Sequence, residues 1–546
     1  MTQCGFRCEQ ILCRAICYHV VNHALANRDG VDFTYILVSY ILALFLALLF
    51  AIPSLLISSG SRQLLFRRSF ITRGRISCMR SIKRLPAPPS RGLLGHVYYL
   101  KRRDVHLQML QWKERYGSFY RLRLGLTPAI VIADSQWVRT IMKARPDDFR
   151  RRSNIESVFQ EAGLNGVFSS EGARWEHQRK LTEPMFQPAH LKYFYPSLRK
   201  ITARLSERFT RLAETGEVIS LVDEFKRYTV DITSLLAFGE DINTLEQGEN
   251  PLSQNLRRLF PVINERCGSP IPLWRFIKRE RDKQFDASLS LIRERLYGFI
   301  DSQRERIEQT PQLMDAPENM LQIMIAEQKK DGALTDEDIL ANAFTLLLAG
   351  EDTTANTLAW MSFLLCSSPS MEEQVVEECR QATEGSGGAL PWPLPRMPLL
   401  TAVMYESMRL KPVAPLLYLE PVKDTVIADF FIRKGTPLLL MLHASGFEET
   451  SFHQPRDFMP ERWLERGQAS FSDLQPFGGG PRMCPGRSLA LIEIKLGFHA
   501  LCSGFRVEAQ QPASDVMESF AFTMTPTGFY VRLHKRPQPD IAQHQA

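Results

Sequence analysis

Disulfide-stapled and zinc-knuckle folds are excluded first, because beyond Cys78 none of the chain's ten cysteines stands at a paired spacing. A reduced, cytosol-facing body is the expectation. A net charge of +7 invites a nucleic-acid reading, yet basic and acidic residues are interspersed and no basic, aromatic-interleaved module occurs. No nucleic-acid partner is expected. The run Gly478 to Gly480 lacks the strand-then-helix setting and spacing of a dinucleotide fingerprint, so neither a flavin nor a nicotinamide module is apparent. Solenoid repeats are absent as well. With 44% hydrophobic and 23% charged residues, the 546-residue chain has enough apolar material for a large core, and disorder does not dominate.

One absence is itself a signal. No charged residue occurs from Phe33 to Ser61, a stretch long enough to cross a bilayer as a helix. We expect one transmembrane helix over 33–58. Arg62, Arg67, Arg68, Arg73, Arg75, Arg80, Lys83 and Arg84 follow it, against Arg7, Arg14 and Arg28 before it, which places the body in the cytosol and the N-terminus on the other side. The apolar stretch starts too late and runs too long for a cleaved signal peptide. Residues 1–32 form an N-terminal extension in which Cys4, Cys8, Cys13 and Cys17 fall near one face of a helix, as an incidental cluster or as a metal or acylation site. The basic stretch and the proline run Leu85 to Gly92 make 59–90 a stiff linker and hinge. Residues 91–535 form the main domain and 536–546 a tail. Helical patterns dominate to about residue 410, with short β-like runs such as Ala129 to Ile132, and a β-rich patch follows near 415–442.

The run Phe477-Gly478-Gly479-Gly480-Pro481-Arg482-Met483-Cys484-Pro485-Gly486 presents one cysteine in a glycine-rich loop. A lone thiolate in such a loop can carry one axial bond to haem iron, with glycines letting backbone amides approach the sulfur and Arg482 facing a propionate. A second constellation lies in the apolar segment Ala341 to Trp360, which is interrupted by Glu351, Asp352, Thr353 and Thr354. A helical threonine can bond back to the i−4 carbonyl and open the turn to water and oxygen. Glu406 and Arg409 are spaced i, i+3 on one helical face, and Trp175 and Arg179 are one turn apart.

The complete pattern F-x-x-G-x-R-x-C-x-G, taken with these three motifs and with Arg462 in Phe458 to Trp463, resembles the cytochrome P-450 superfamily over about residues 85–535. The resemblance implies a mainly α fold with small β-sheets, and haem b with Cys484 as its axial and metal ligand. Phe477, Gly480, Arg482, Gly486, Trp175 and Arg179 would be cofactor-binding, Trp175 and Arg179 through a propionate. Thr353 would order hydrogen bonds to dioxygen and Asp352 would relay protons, while Glu406, Arg409 and Arg462 would lock the structure behind the cysteine loop.

Two departures from the family pattern carry information. Leu419 stands where many members place a propionate-binding arginine, as in some fatty-acid hydroxylases, and Ala349 stands where one ω-hydroxylase subgroup carries the glutamate that esterifies haem. A covalent haem link is therefore not expected. The expected activity is monooxygenation of a fatty acid, lipid, terpenoid or specialised metabolite. Electrons would come from a membrane-bound NADPH-dependent flavoprotein reductase, at the endoplasmic reticulum if the source is eukaryotic, with Arg174, Arg179 and Lys180 as basic residues able to steer an acidic partner. Phe159, Leu164, Phe168, Phe344, Leu348, Leu416 and Phe522 are the expected pocket wall. The rivals are an isomerase or dehydratase acting on an oxygenated lipid, against which the intact Asp352-Thr353 pair argues, and a non-enzymatic haem sensor.

Overall fold

The computed structural model describes residues 80–537 apart from 91, 101, 249–250, 270–271, 333 and 467–473. The anchor expected at 33–58 and the N-terminal cysteine cluster lie outside the described residues. No described helix is long and apolar enough to cross a membrane.

A five-stranded sheet stands at one side of the cavity that holds the site. Its strands are β1 (Phe119–Leu124), β2 (Thr127–Ile132), β3 (Phe149–Arg151), β4 (Leu416–Pro421) and β5 (Leu438–Met441), in the spatial order β1-β2-β5-β4-β3. The continuous apolar runs of β2 and β5 follow from burial on both faces: Ile130, Ile132, Leu438 and Leu440 pack on one side, Val131, Leu439 and Met441 on the other. β3 is an edge strand, and its register sets Arg151 opposite Leu419. A hairpin, β6 (Met517–Phe520) with β7 (Met524–Thr527), reaches toward the same cavity. The described end of the proline run is seated on the domain. Leu85 is buried, the Pro86 carbonyl accepts from Arg121 N at 2.8 Å, and Arg80–Ser81 pairs parallel with Phe430–Phe431.

Five helices position the chemistry: α1 (Gly172–Thr182), α2 (Leu221–Phe238), α3 (Asp336–Cys366), α4 (Pro398–Leu410) and α5 (Arg487–Gly504). α3 starts at a capping box in which Thr335 and Asp338 satisfy each other's backbone donors. It then runs through the core for 31 residues, with apolar side chains buried all round. α2 crosses it closely, because a Cβ on Gly350 would overlap the Thr233 side chain. α4 opens on Pro398, and the Glu378 carboxylate accepts from the free backbone donors Leu399 N and Leu400 N at 2.8 and 2.7 Å. α5 begins directly after the cysteine loop, with Gly486 as its N-cap.

Candidate functional site

The cysteine loop is built by its backbone. Cys484 N donates to the Phe477 carbonyl at 2.9 Å and Gly478 N to that of Gln475 at 2.9 Å, which closes the loop over the α5 N-terminus. Gly480 is required twice: its φ is +66°, and a Cβ there would overlap the Met142 carbonyl oxygen. Gly486 lies beside the sulfur, where a Cβ would make ordinary van der Waals contact at 3.9 Å from Cys484 Sγ. Cys484 opens onto a cavity and is enclosed by protein on its other sides. That burial pushes the thiol up, while the backbone N–H groups of Gly486 and Arg487 and the Arg179 guanidinium pull against it. A metal cation is what would turn this balance to thiolate.

The cavity measures about 960 Å³, at the upper end of ordinary ligand pockets. Trp175 and Arg179 of α1, Phe477 and Arg482 of the cysteine loop, and Thr353 of α3 line it together with Cys484. Arg179 Nη1 donates to the Met483 carbonyl at 2.8 Å, tying α1 to the cysteine loop, and the Arg482 guanidinium lies 4.5 Å from the Trp175 ring centroid. Arg482 donates to the Ser170 carbonyl at 2.9 Å, the Phe168 carbonyl at 3.3 Å and Glu171 Oε1 at 3.3 Å.

Arg145 and Arg151, which sequence reasoning did not single out, join this cluster. Arg145 reaches Glu171 Oε1 at 3.4 Å, and Arg151 stacks on Phe168 with its guanidinium 4.0 Å from the ring centroid. Burial lowers all three arginines, Arg151 to about 10 and Arg482 to about 8. Arg145 Nε and Arg151 Nε are buried without a partner. Arg145, Arg151 and Arg482 outnumber the single Glu171 carboxylate, and Arg179 lines the same cavity, so this edge is net positive, the sign that the propionates of haem call for. Leu419 does not line the cavity; it is fully buried in the sheet, and Arg151, opposite it on the neighbouring strand, does line the cavity. The thiol, the paired donors and the volume fit haem.

On the other wall, Thr353 Oγ1 donates to the Ala349 carbonyl at 2.8 Å, the back-bond anticipated from its helical position. Asp352 faces away from the cavity lining. Its carboxylate pairs with Lys226 Nζ at 2.7 Å and accepts a longer contact of 3.5 Å from Thr523 Oγ1. Sequence reasoning missed Lys226, which lies on α2, and Glu493, which lines the cavity from α5. Glu493 is fully buried and pushed up to about 8 by desolvation, with a bond from Thr354 pulling the other way. A lone acid between Ile492 and Ile494 was the available signal. Of the expected pocket wall, Phe168, Leu348, Leu416 and Phe522 line the cavity. Phe159, Leu164 and Phe344 are core residues behind it. Arg174, paired with Asp338 at 2.7 Å, and Lys180 are exposed, while Arg179 is turned to the cysteine loop.

Behind the loop, Glu406 and Arg409 are bidentate at 2.7 and 2.9 Å with side chains fully buried. Arg462 Nε, Trp463 Nε1 and Met459 N also donate to Glu406, at 3.2, 2.8 and 2.9 Å. Arg409 spends its remaining donors on the carbonyls of Gly446, Pro455 and Asp457.

The cytochrome P450 family profile matches residues 85–533. The chain belongs to this family. It is 26% identical over 463 residues to cytochrome P450 27C1 of Danio rerio, covering 80% of this chain and 84% of that protein. It is 25% identical to the mitochondrial cholesterol side-chain cleavage enzyme of Homo sapiens, covering 82% of this chain and 88% of the relative, and 25% identical to cytokinin hydroxylase of Arabidopsis thaliana, covering 72% and 77%. The fold superposes on the crystal structure of the cytochrome P450DA heme domain with a TM-score of 0.72 at 22% identity, covering 83% of this chain and 98% of that one. This P450 is a haem-thiolate monooxygenase, an oxidoreductase whose cofactor is haem ligated by a cysteine thiolate.

Proposed function

We propose that this P450 inserts one oxygen atom into an extended apolar substrate, a long-chain acid or lipid ahead of a terpenoid or other specialised metabolite. Electrons would come from a membrane-bound NADPH-dependent flavoprotein reductase, and the body would be held at the cytosolic face of a membrane, the endoplasmic reticulum in a eukaryote, by the anchor expected at 33–58. The observation that carries the reading is that Cys484 and Thr353 line one cavity with an apolar wall. Bound there, haem supplies dioxygen activation at a thiolate-ligated iron.

The chain's own residues do the rest. Phe168, Leu348, Leu416 and Phe522 hold the substrate and exclude water. Trp175, Arg179, Arg482, Arg145 and Arg151 hold the propionate edge, with Phe477, Gly480 and Gly486 shaping the loop beneath. The Thr353 hydroxyl, its proton turned to the Ala349 carbonyl, presents its oxygen as an acceptor toward the cavity. Asp352 takes a proton from the outer side once its hold on Lys226 loosens, and passes it toward Thr353 through water. Glu406, Arg409 and Arg462 keep the loop in register.

Thr353→Ala tests the proton route. Product formation should fall at least about tenfold, while NADPH oxidation continues. Unchanged turnover would overturn the role of Thr353, and turnover without NADPH and dioxygen would point to the isomerase or dehydratase reading. A panel of long-chain acids and terpenoids, read by the ferric spin-state shift, tests the substrate class.

A further inference from the structure

Glu171 is an acid inside an anion site. Its side chain is 7% exposed, and a single oxygen, Oε1, takes Arg145 Nη2, Arg482 Nη2 and the Arg151 backbone N–H, the last at 2.9 Å. Oε2 is buried without a partner, although a carboxylate has room for about four donors. Glu171 directly precedes α1, so the position of its carboxylate is fixed by the same segment that places Trp175. The Arg145 and Arg482 guanidinium groups both reach Oε1, at 3.4 and 3.3 Å, so two like charges are brought together out of water. A carboxylate among them offsets that repulsion. Its negative charge sits in a poorly screened interior, where charges act on one another more strongly than in water.

We infer that Glu171 is a positioning residue for the haem, gathering Arg145, Arg151 and Arg482 at the propionate edge and lowering the net positive charge there by one. With Glu171 neutralised the propionates meet one more net positive charge, and adding an electron to the iron becomes easier. The iron's reduction potential is thus set by this carboxylate as well as by the thiolate.

The test is a spectroelectrochemical titration of the ferric/ferrous couple in the full-length holoenzyme and in Glu171→Gln and Glu171→Asp, with a reduced CO difference spectrum of each. Glu171→Gln should shift the midpoint potential upward with the thiolate-type Soret band intact, and Glu171→Asp, which keeps the charge, should stay near the parent value. A Glu171→Gln potential that is unmoved or lower in a haem-loaded protein overturns the inference, because a purely structural role changes stability and leaves the potential in place. Should Glu171→Gln fail to retain haem, Arg145→Gln decides in its stead: it must shift the potential downward, and no shift overturns the inference. The inference rests on the haem assignment, and a parent protein without the thiolate band overturns both.

Discussion

Two buried arginine-carboxylate clusters flank the cysteine loop, and they are built on opposite plans. In the lock, Glu406 receives donors from Arg409, Arg462, Trp463 and Met459, and each nitrogen of both guanidinium groups has an acceptor. At the cavity edge, the guanidinium groups of Arg145 and Arg482 and the backbone N–H of Arg151 share one carboxylate, and Arg145 Nε, Arg151 Nε and Glu171 Oε2 remain without partners. A closed network specifies structure, since every buried polar group is satisfied within the chain. Spare buried donors beside a cavity are ones that a bound anion could take up. The same side-chain types thus form a closed network behind the loop and an open one beside the cavity, and the unfilled donors mark the difference between these two clusters.

The largest expected effect tests what the open cluster serves. Cys484→Ser should abolish the thiolate-type Soret band of the reduced CO complex and activity with it; a band that persists would refute the ligand. Next, Glu406→Ala breaks the closed cluster and leaves a buried guanidinium uncompensated, at a cost of about 3–5 kcal/mol. It should unfold the protein or lower its melting temperature sharply with or without haem. The open cluster should answer differently. Arg151→Leu should leave the apoprotein's melting temperature near the parent value, because an incompletely paired buried cation contributes little to folding. Transfer of haem to an acceptor apoprotein should meanwhile accelerate about 10- to 100-fold, the value of a charged hydrogen bond. Equal effects on apoprotein stability from both substitutions would erase the distinction between the clusters.

The smallest effects lie in the neighbourhood of the loop. Gly480→Ala forces a side chain into a left-handed conformation and against Met142, and should lower stability by about 1–3 kcal/mol in thermal unfolding. Glu493 adds a pH signature. Its folded-state carboxyl is raised to about 8 by burial, so it holds a proton that the unfolded chain has already released above the ordinary carboxylate range. The stabilisation tied to that proton is complete at acid pH and fades as pH rises toward about 8. Glu493→Gln should flatten the fall in melting temperature between pH 5 and 8, by about one pH unit's worth of free energy or more, ~1.4 kcal/mol. An unchanged slope would show that Glu493 does not carry it.

What could be read from the sequence follows from range. The cysteine loop, the Glu406-Arg409 pair and the Trp175-Arg179 pair are contiguous or within one helical turn, so spacing alone places them together. The segment Ala341 to Trp360 was visible as an apolar helix, and its true bounds, Asp336–Cys366, add a capped start that periodicity does not mark. The arginine cluster was hidden because Arg145, Arg151, Glu171 and Arg482 come from separate elements joined only by tertiary packing. Arg151 illustrates the limit: Leu419 is legible as a missing arginine, but the arginine that lines the cavity stands opposite it on β3, a register no local pattern encodes. Lys226 was one lysine among many until α2 and α3 crossed. The apolar candidates divided for the same reason, since Phe159 and Phe168 are equally hydrophobic and only packing decides which one meets the cavity.

The pairing of Arg80–Ser81 with Phe430–Phe431 has a mechanical consequence. Force arriving along the residues before Arg80 enters the body at that short ladder, ahead of the proline run, and is borne in shear by the small sheet that also contains Thr425–Ile427. Leu85 to Ser90 are shielded from the load, and so is the cavity wall they lead toward. Tension on the leading segment would have to shear that ladder before it reached Leu85, which makes residues 80–81 a strain relief for the catalytic body.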